Sequence, residues 1–456
     1  RQIAKALIEQ IPFRWISGGN CPDFRTINRY RSTRLKGTIE DVFASVVELL
    51  FSEGIIDLED YFLDGTKIEA NANKYSFVWG KATAKFKARL QRDVKALFEE
   101  IDKVNESDDD RYGDKDLPGM GGEGSIDSNK IQETVDRLNE RLKKQPSDKG
   151  LKKAVKKLKE DYLPRQQKYE QHEDILGERN SYSKTDKGAT FMRMKEDHML
   201  NGQLKPGYNV QIGTSDQFIL GYSIHQKPSD STVLIPHLEW LKRRFGRFPE
   251  AVTADAGYGS EENYAWLDDK GVTAYVKYNN FHWEQKKKQR QNPFRVENLP
   301  YDEDTDSYQC PAGQRLDYLE TRERRSSTGY ESQVRIYEAE DCVGCGLREQ
   351  CHKSKANRRI EINAELQGYR KRARELLLSP QGMDHRSRRP IEPEAVFGQI
   401  KANRQFRRFL LRGLDKVTIE FGLIALAHNL MKLWVKGLAE RKPGDLSDSG
   451  DLILAL

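Results

Sequence analysis

The chain has 456 residues, of which 37% are hydrophobic and 32% charged, with a formal net charge of +6. That length predicts about two to four domains at the usual ~100 to 200 residues each, and no stretch approaches the roughly 20 apolar residues a helical bilayer span needs. The opening RQIAKALIEQ carries no secretion-signal pattern and four of the five cysteines are clustered, so a reducing, cytoplasmic setting is expected rather than a disulfide framework.

Residues 1–58 read as a small helical domain. A turn at Gly18 to Pro22 divides it, and an amphipathic run follows from Thr38 to Phe51. Within it, PFRWISGGNCPDFRTINRYR (12–31) sets Arg14, Arg25, Arg29 and Arg31 among Phe13 and Trp15, a mixture that suits nucleic acid. The segment 59–80 contains a strand-like run, Tyr61 to Ala70. Over 81–178 the period becomes helical: Phe86, Leu90, Val94, Leu97 and Ile101, then Ile131 to Leu142, then Leu151 to Tyr162. These stripes predict a helical hairpin or short coiled coil, with a loop at 106–125 that has almost nothing to bury.

Between 179 and 280 the period falls to two. GYNVQIGT and FILGYSIH predict adjacent strands, followed by a helix from Ser231 to Phe245 and a buried strand, Ala251 to Ala254. Ser260 then suits a helix cap, with Glu261 and Glu262 in the first turn, and Val272 to Lys277 predicts one more strand. This alternation predicts an α/β core. A polar, cysteine-bearing insertion, 281–385, interrupts it. There KKKQR (286–290), with Lys286 and Lys287, lies near Phe281, Trp283 and Phe294, again phosphate partners beside flat rings. The segment 386–440 holds a helix from Glu394 to Lys401 and an apolar helix from Val417 to Trp434; 441–456 is a tail. From Arg386 to Arg412 eight positive charges stand against two negative, as much net charge as the whole chain carries.

The chemistry begins with Asp64, inside a strand where an unpaired charge would cost several kcal/mol and so needs a cation, a proton or donors. Asp255 ends a short strand just before a glycine turn, the place where α/β sheets hold ligands. Two such aspartates suit a hard cation, which takes oxygen ligands and keeps positions open for phosphate and water. Each alone also fits a turn or strand-end aspartate. A third candidate is Glu394. If a helix starts near Pro393, Glu394, Lys401 and Arg408 follow one another at two-turn intervals on one face. Glu392 is its rival. Cys310, Cys342, Cys345 and Cys351, written CPAG, CVGC and REQCHK, contain the two-residue spacing of a zinc knuckle and fit either structural Zn²⁺ or unbound thiols, with His352 a substitute ligand. Trp283 reads first as a partly buried packing residue, and His428 as a core histidine.

In this order the blocks CPDFRTINRYR, DGTKIEANA, FMRMKEDHMLNGQLKPGYNVQI, TADAGYGSEEN and EAVFGQIKANRQFRRFLLRGL resemble the bacterial insertion-sequence transposases of the DDE type, most closely the group numbered eleven-eighty-two. The resemblance covers nearly the whole chain. It implies a ribonuclease H-like core with an N-terminal DNA-binding domain, and Asp64, Asp255 and Glu394 as catalytic carboxylates for two Mg²⁺ or Mn²⁺ ions. It further implies cleavage at the ends of the element and joining of the 3′-hydroxyls to target DNA. Lys401 would contact a phosphate near the cut, Arg389, Arg404, Arg407 and Arg408 would hold backbone further out, and Trp283 would stack on a splayed base. Paired ends imply a homodimer, on the nucleoid in the cytoplasm. One departure stands out: the wider class often has an arginine four residues before the glutamate, where this chain has Pro390, so that Arg389 is shifted by one. A metal-dependent nuclease and a non-catalytic DNA-binding relative are the alternatives.

Overall fold

The computed structural model describes residues 1–112, 126–144, 148–194 and 202–440. The described residues divide into two compact units, one built from 1–68, 209–409 and 415–440, the other from within 69–208 and 410–414. Among the described residues no helix is long and apolar enough to cross a membrane.

The first unit opens with helices Gln2–Glu9, Ile11–Ile16, Phe24–Thr33 and Ile39–Ser52. The Asp23 carboxylate starts the third by accepting from the Thr26 amide at 2.7 Å. Ile39, Phe43, Val47 and Leu50 recur every three or four residues and are the buried face of the fourth. Phe43 meets Tyr222 edge to face at 5.0 Å, which seats this helix on the core sheet.

Five strands of that sheet run in the order Phe218–His225, Leu204–Ser215, Asp60–Glu69, Ala251–Ala254, Thr273–Val276. The last three pair parallel, with Asp60 opposite Ala251 and Ala251 opposite Thr273. The first two form an antiparallel hairpin. Its turn residues Asp216 and Gln217 have φ of 50° and 61°, the left-handed geometry that a two-residue hairpin loop requires. The Asp60–Glu69 strand is buried on both faces, so it reads as a central strand rather than an alternating one. Tyr61 fills the space that Gly213 leaves: a Cβ there would stand 1.7 Å from the Tyr61 ring. The Tyr61 hydroxyl bonds His237 Nε2 at 2.7 Å, and Ser223 Oγ joins His237 Nδ1 and His225 Nε2, each at 2.7 Å. This buried polar chain fixes the strand that carries Asp64.

The insertion is more ordered than its polar sequence suggests. Tyr301–Asp302, Ser307–Gln309, Arg315–Arg325, Glu331–Ala339 and Arg359–Ile362 form a five-stranded antiparallel sheet over a small core of Leu316, Tyr337, Ala339, Ile360 and Ile362. Its long strands are dense in Arg and Glu because one face meets water. Helices Ala364–Leu378 and Pro380–Arg388 follow.

In the second unit the predicted hairpin is corrected to a larger bundle. Helices Gly80–Tyr112, Ser128–Lys144 and Lys149–Lys157 pack together, and the third continues through a π turn, Leu158–Tyr162, into Leu163–Leu176. Asp148 accepts from the Leu151 amide at 2.9 Å and so begins a separate helix for the third stripe. Leu90, Val94, Ile131, Val135, Leu138, Leu151 and Leu158 are buried as the stripes require, whereas Phe86 is 50% exposed. The first helix runs to Tyr112, into the expected loop; 113–125 lie outside the described residues, as do His198 and the tail from 441.

Candidate active site

Asp64 sits mid-strand and is buried. Asp255 follows the Ala251–Ala254 strand, and one of its oxygens accepts from the Gly257 amide at 2.8 Å, turning the chain into the helical turn Ala256–Tyr258. Gly259 is required there, since a Cβ would stand 2.3 Å from the Lys277 carbonyl oxygen. Ser260 then caps helix Glu261–Asp269 through the Asn263 amide, as its sequence predicts.

Glu394 arrives differently from expectation. No helix starts at Pro393. Instead the Pro380–Arg388 helix runs on through a π turn, Pro390–Glu394, into Ala395–Gly398 and a second π turn, Gln399–Asn403. Pro390 and Pro393 have no N–H to give a regular α ladder, and the wider turn accommodates them. Its i to i+5 spacing brings Arg389 and Glu394 onto one face, where an α-helix would part them by about 140°. The one-residue shift of Arg389 thus coincides with one extra residue in the turn.

The helix is held on the sheet by His385, which stacks on Tyr275 at 4.0 Å and on Phe62 at 5.7 Å and bonds Thr253 Oγ1 through Nδ1 at 2.9 Å. Arg388 adds an ion pair to Asp60 at 2.6 Å. Burial, the largest influence, lowers the His385 pKa; nearby Arg388 lowers it too, and Asp60 opposes them. The imidazole is therefore held neutral for packing and hydrogen bonding.

These elements bring three carboxylates to one guanidinium. Arg389 Nη2 lies 3.2 Å from Asp64 Oδ1 and 3.6 Å from Asp255 Oδ2, and Nη1 lies 2.7 Å from Glu394 Oε1. Asp64 is enclosed, while the side chains of Asp255 and Glu394 are 37% and 49% exposed, so the cluster opens on one side. Glu392 points elsewhere: buried, it accepts from Thr214 Oγ1 at 3.1 Å and the Gln217 amide at 2.8 Å, and so ties the helix to the hairpin.

Beneath the carboxylates is a layer that sequence reasoning missed. Asp230 pairs with Lys67 Nζ at 3.1 Å and accepts from Asn209 Nδ2 at 2.8 Å and Gln211 Nε2 at 3.1 Å. The buried Tyr258 hydroxyl donates to Gln211 Oε1. Burial raises the Tyr258 pKa well above its ordinary value, Asp230, Asp64 and Asp255 raise it further, and Arg389 opposes them. The phenol therefore remains a proton donor. Lys277, just past the last strand, is also close: burial lowers its pKa first, then Arg389 and Arg386, against Asp255 and Glu394. Only its place beside the Asp255 strand could have pointed to it; Asp230, in a polar SDST run, carried no signal.

The basic residues divide. Lys401 Nζ donates to the Lys67 carbonyl at 3.2 Å, which links it to the strand of Asp64. Arg408 is corrected: the helix ends at Asn403 and Gln405 has φ of 54°, so Arg408 does not continue the face of Glu394 and Lys401. Arg404 reaches Met431 Sδ at 3.3 Å, and Arg407 Nε donates to the Lys401 carbonyl at 3.2 Å, at the helix end. Arg25, Arg29, Lys286 and Lys287 are exposed. Trp283 is 41% exposed, and the Arg295 guanidinium lies 4.0 Å over its ring. His428 donates to or accepts from no catalytic group; its Nε2 bonds the Gln217 carbonyl inside the core.

Cys310, Cys342, Cys345 and Cys351 line a single cavity of about 20 Å³ with His352 and Arg358. Arg358 Nη1 donates to Cys351 Sγ at 3.1 Å and the Arg358 amide to Cys342 Sγ at 3.4 Å. Among the described residues, no three His, Cys, Asp or Glu side chains stand at a spacing that would hold a metal. The thiols share a cavity, and neither they nor the carboxylates stand as a metal shell. The carboxylates meet with a guanidinium between them.

Residues 309–434, under half of the chain, match a family model described as Transposase DDE domain. The matched span contains Arg389, Glu394, Lys401 and the four clustered cysteines, while Asp64 and Asp255 precede it. No curated protein and no solved structure gives a match. The family match supports a DDE-type transposase, a class of enzyme that acts on DNA with divalent metal, and the mixed sheet flanked by helices fits one.

Proposed function

We propose that this chain is a DNA transposase that cleaves the ends of an insertion sequence and joins the freed 3′-hydroxyls to target DNA, as group eleven-eighty-two does. The observation that carries the reading is the meeting of Asp64, Asp255 and Glu394, from two strands and one helix far apart in sequence, at a single cationic centre. An antiparallel hairpin beside three parallel strands is the order expected of a ribonuclease H-like core, and the matched family supports the class.

Three carboxylates suit Mg²⁺ or Mn²⁺ in kind, since hard cations take oxygen donors, and Asp64, Asp255 and Glu394 would hold the two ions. Bound there, such ions would supply an activated water and neutralise charge at the scissile phosphate. The chain's own groups do the rest. Asp64 is immobilised by the central strand, and the Lys67, Asp230, Asn209, Gln211 and Tyr258 layer keeps the floor rigid. Lys401 and Lys277 present positive charge for backbone phosphate beside the carboxylates. Arg25, Arg29, Lys286, Lys287, Arg404, Arg407 and Arg408 extend that contact with a salt-sensitive affinity. Trp283, already stacked with Arg295, offers its other face to a base. Two copies would bring two element ends together, in the cytoplasm on the nucleoid.

The test is a strand-transfer assay on end-sequence DNA with Mg²⁺ or Mn²⁺, for the natural chain and for Asp64→Asn, Asp255→Asn and Glu394→Gln. Cleavage and joining by the natural chain, lost in all three variants, is the expected result. Cleavage without joining would mark a nuclease, and neither activity a DNA-binding relative. Joining that survives any one neutralisation overturns the assignment.

A further inference from the structure

The geometry points to a second role for Arg389: its guanidinium is an exchangeable counterion that occupies the cation position among Asp64, Asp255 and Glu394 until divalent metal enters and releases it to a DNA phosphate. This rests on the reading of those carboxylates as the catalytic set.

Three features of the structure lead there. The guanidinium contacts all three carboxylates and sits between them, at 3.2, 3.6 and 2.7 Å, so metal cannot enter their midst while it stays. As the side chains stand, they are not spaced as metal ligands, so the cluster is arranged around Arg389. Arg389 is also held unlike a structural arginine. Arg348, in the same unit, gives its donors to the carbonyl oxygens of Cys342, Ser354, Lys355 and Ala356, which tie down a loop. Arg389 bonds through its side chain to carboxylates, and its buried Nε has no partner. A group held by opposite charge alone moves when a better cation arrives.

The carboxylates repel one another and need a cation to stay together. In the absence of metal Arg389 supplies one, and a planar fork with five donors can serve several carboxylates at once. The same fork binds a phosphate diester equally well. Metal and DNA therefore cooperate: metal frees the guanidinium for phosphate, phosphate withdraws it from the carboxylates, and each raises the affinity of the other by the same factor.

The experiment titrates Mn²⁺ into the metal-stripped full chain, following free Mn²⁺ by electron paramagnetic resonance, with and without a short DNA duplex. Without DNA, Arg389→Ala and Arg389→Gln are expected to bind Mn²⁺ about tenfold more tightly than the natural chain. DNA tightens Mn²⁺ binding to the natural chain and no longer does so in either variant. Asp255→Asn, run alongside, weakens Mn²⁺ binding in every background. Equal or weaker Mn²⁺ binding by both Arg389 variants, with Asp255→Asn still damaging it, overturns the exchange and leaves the carboxylate assignment standing. Mn²⁺ binding indifferent to Asp255→Asn overturns that assignment itself.

Discussion

Two clusters of potential metal ligands, one acidic and one of thiols, each contain an arginine, and they differ in what the arginine does. Arg389 lies at the centre of Asp64, Asp255 and Glu394. Arg358 stands at the wall of the cysteine cavity, touching Cys351 and, through its amide, Cys342. Carboxylates are ionised at neutral pH, so bringing three together demands a cation, and the chain supplies one. The four cysteines share their cavity with Arg358 at its wall. Convergence of charge is thus a stronger mark of a working site than convergence of ligand types.

The largest effect that could break this comparison is on activity. Asp64→Asn should reduce strand transfer on the order of 10³-fold, whereas Cys345→Ser should leave it within a few-fold; equal losses in a joining assay would erase the distinction. Next comes the support of the acidic site. Gly213→Ala forces a methyl into the Tyr61 ring, and about 3 kcal/mol of destabilisation is expected, read as a fall in the denaturant midpoint. A matching change on the insertion sheet, Gly313→Ala, meets no atom within 4 Å but has a φ of 84°, and should cost about 1 kcal/mol.

Acidity sharpens the contrast further, because the polar chain behind Asp64 contains two buried imidazoles. Burial pushes His237 down to about 3, helped by neighbouring His225, and pushes His225 down to about 4 against the pull of Asp230. The unfolded chain takes up these protons near pH 6.5. Stability is therefore full above that pH and falls as pH drops toward the folded values, by on the order of 4 kcal/mol between pH 7 and 5. Melting temperatures measured across that range should fall together, and His225→Asn should flatten the slope. The smallest effect is at the thiols: Cys345→Ser should shift the melting temperature by no more than about 2 °C. A larger fall, accompanied by loss of bound zinc in elemental analysis, would show that the cysteines close on a metal after all.

Much of the core was legible because its signals are local. The alternation in GYNVQIGT and FILGYSIH, the Ser260 cap and the glycine turn after Asp255 follow from rules acting within a few residues, and strands and turns stand where those rules put them. What escaped depends on distance or on cancellation. Lys67 and Asp230 are 163 residues apart, and no local pattern announces their pairing. The insertion strands hide behind surface arginines and glutamates. Gln405 breaks the helix before Arg408 through a left-handed backbone that its residue type does not signal. Asp64 and Glu394 were visible as candidates, yet the guanidinium between them was not, because its reach depends on a turn wider than the helical period assumed.

That wider turn sets where the segment between His385 and Glu394 tolerates a change in length. His385 is clamped between Tyr275 and Phe62, which fixes the rotational phase at one end. Removing a single residue from the π turn would restore an ordinary helix with Arg389 and Glu394 four residues and about 40° apart, whereas removing one from the regular α-helical part before it would swing Glu394 away from the two aspartates by about 100°. The count of residues is therefore fixed in the regular helix and adjustable by one in the wide turn alone.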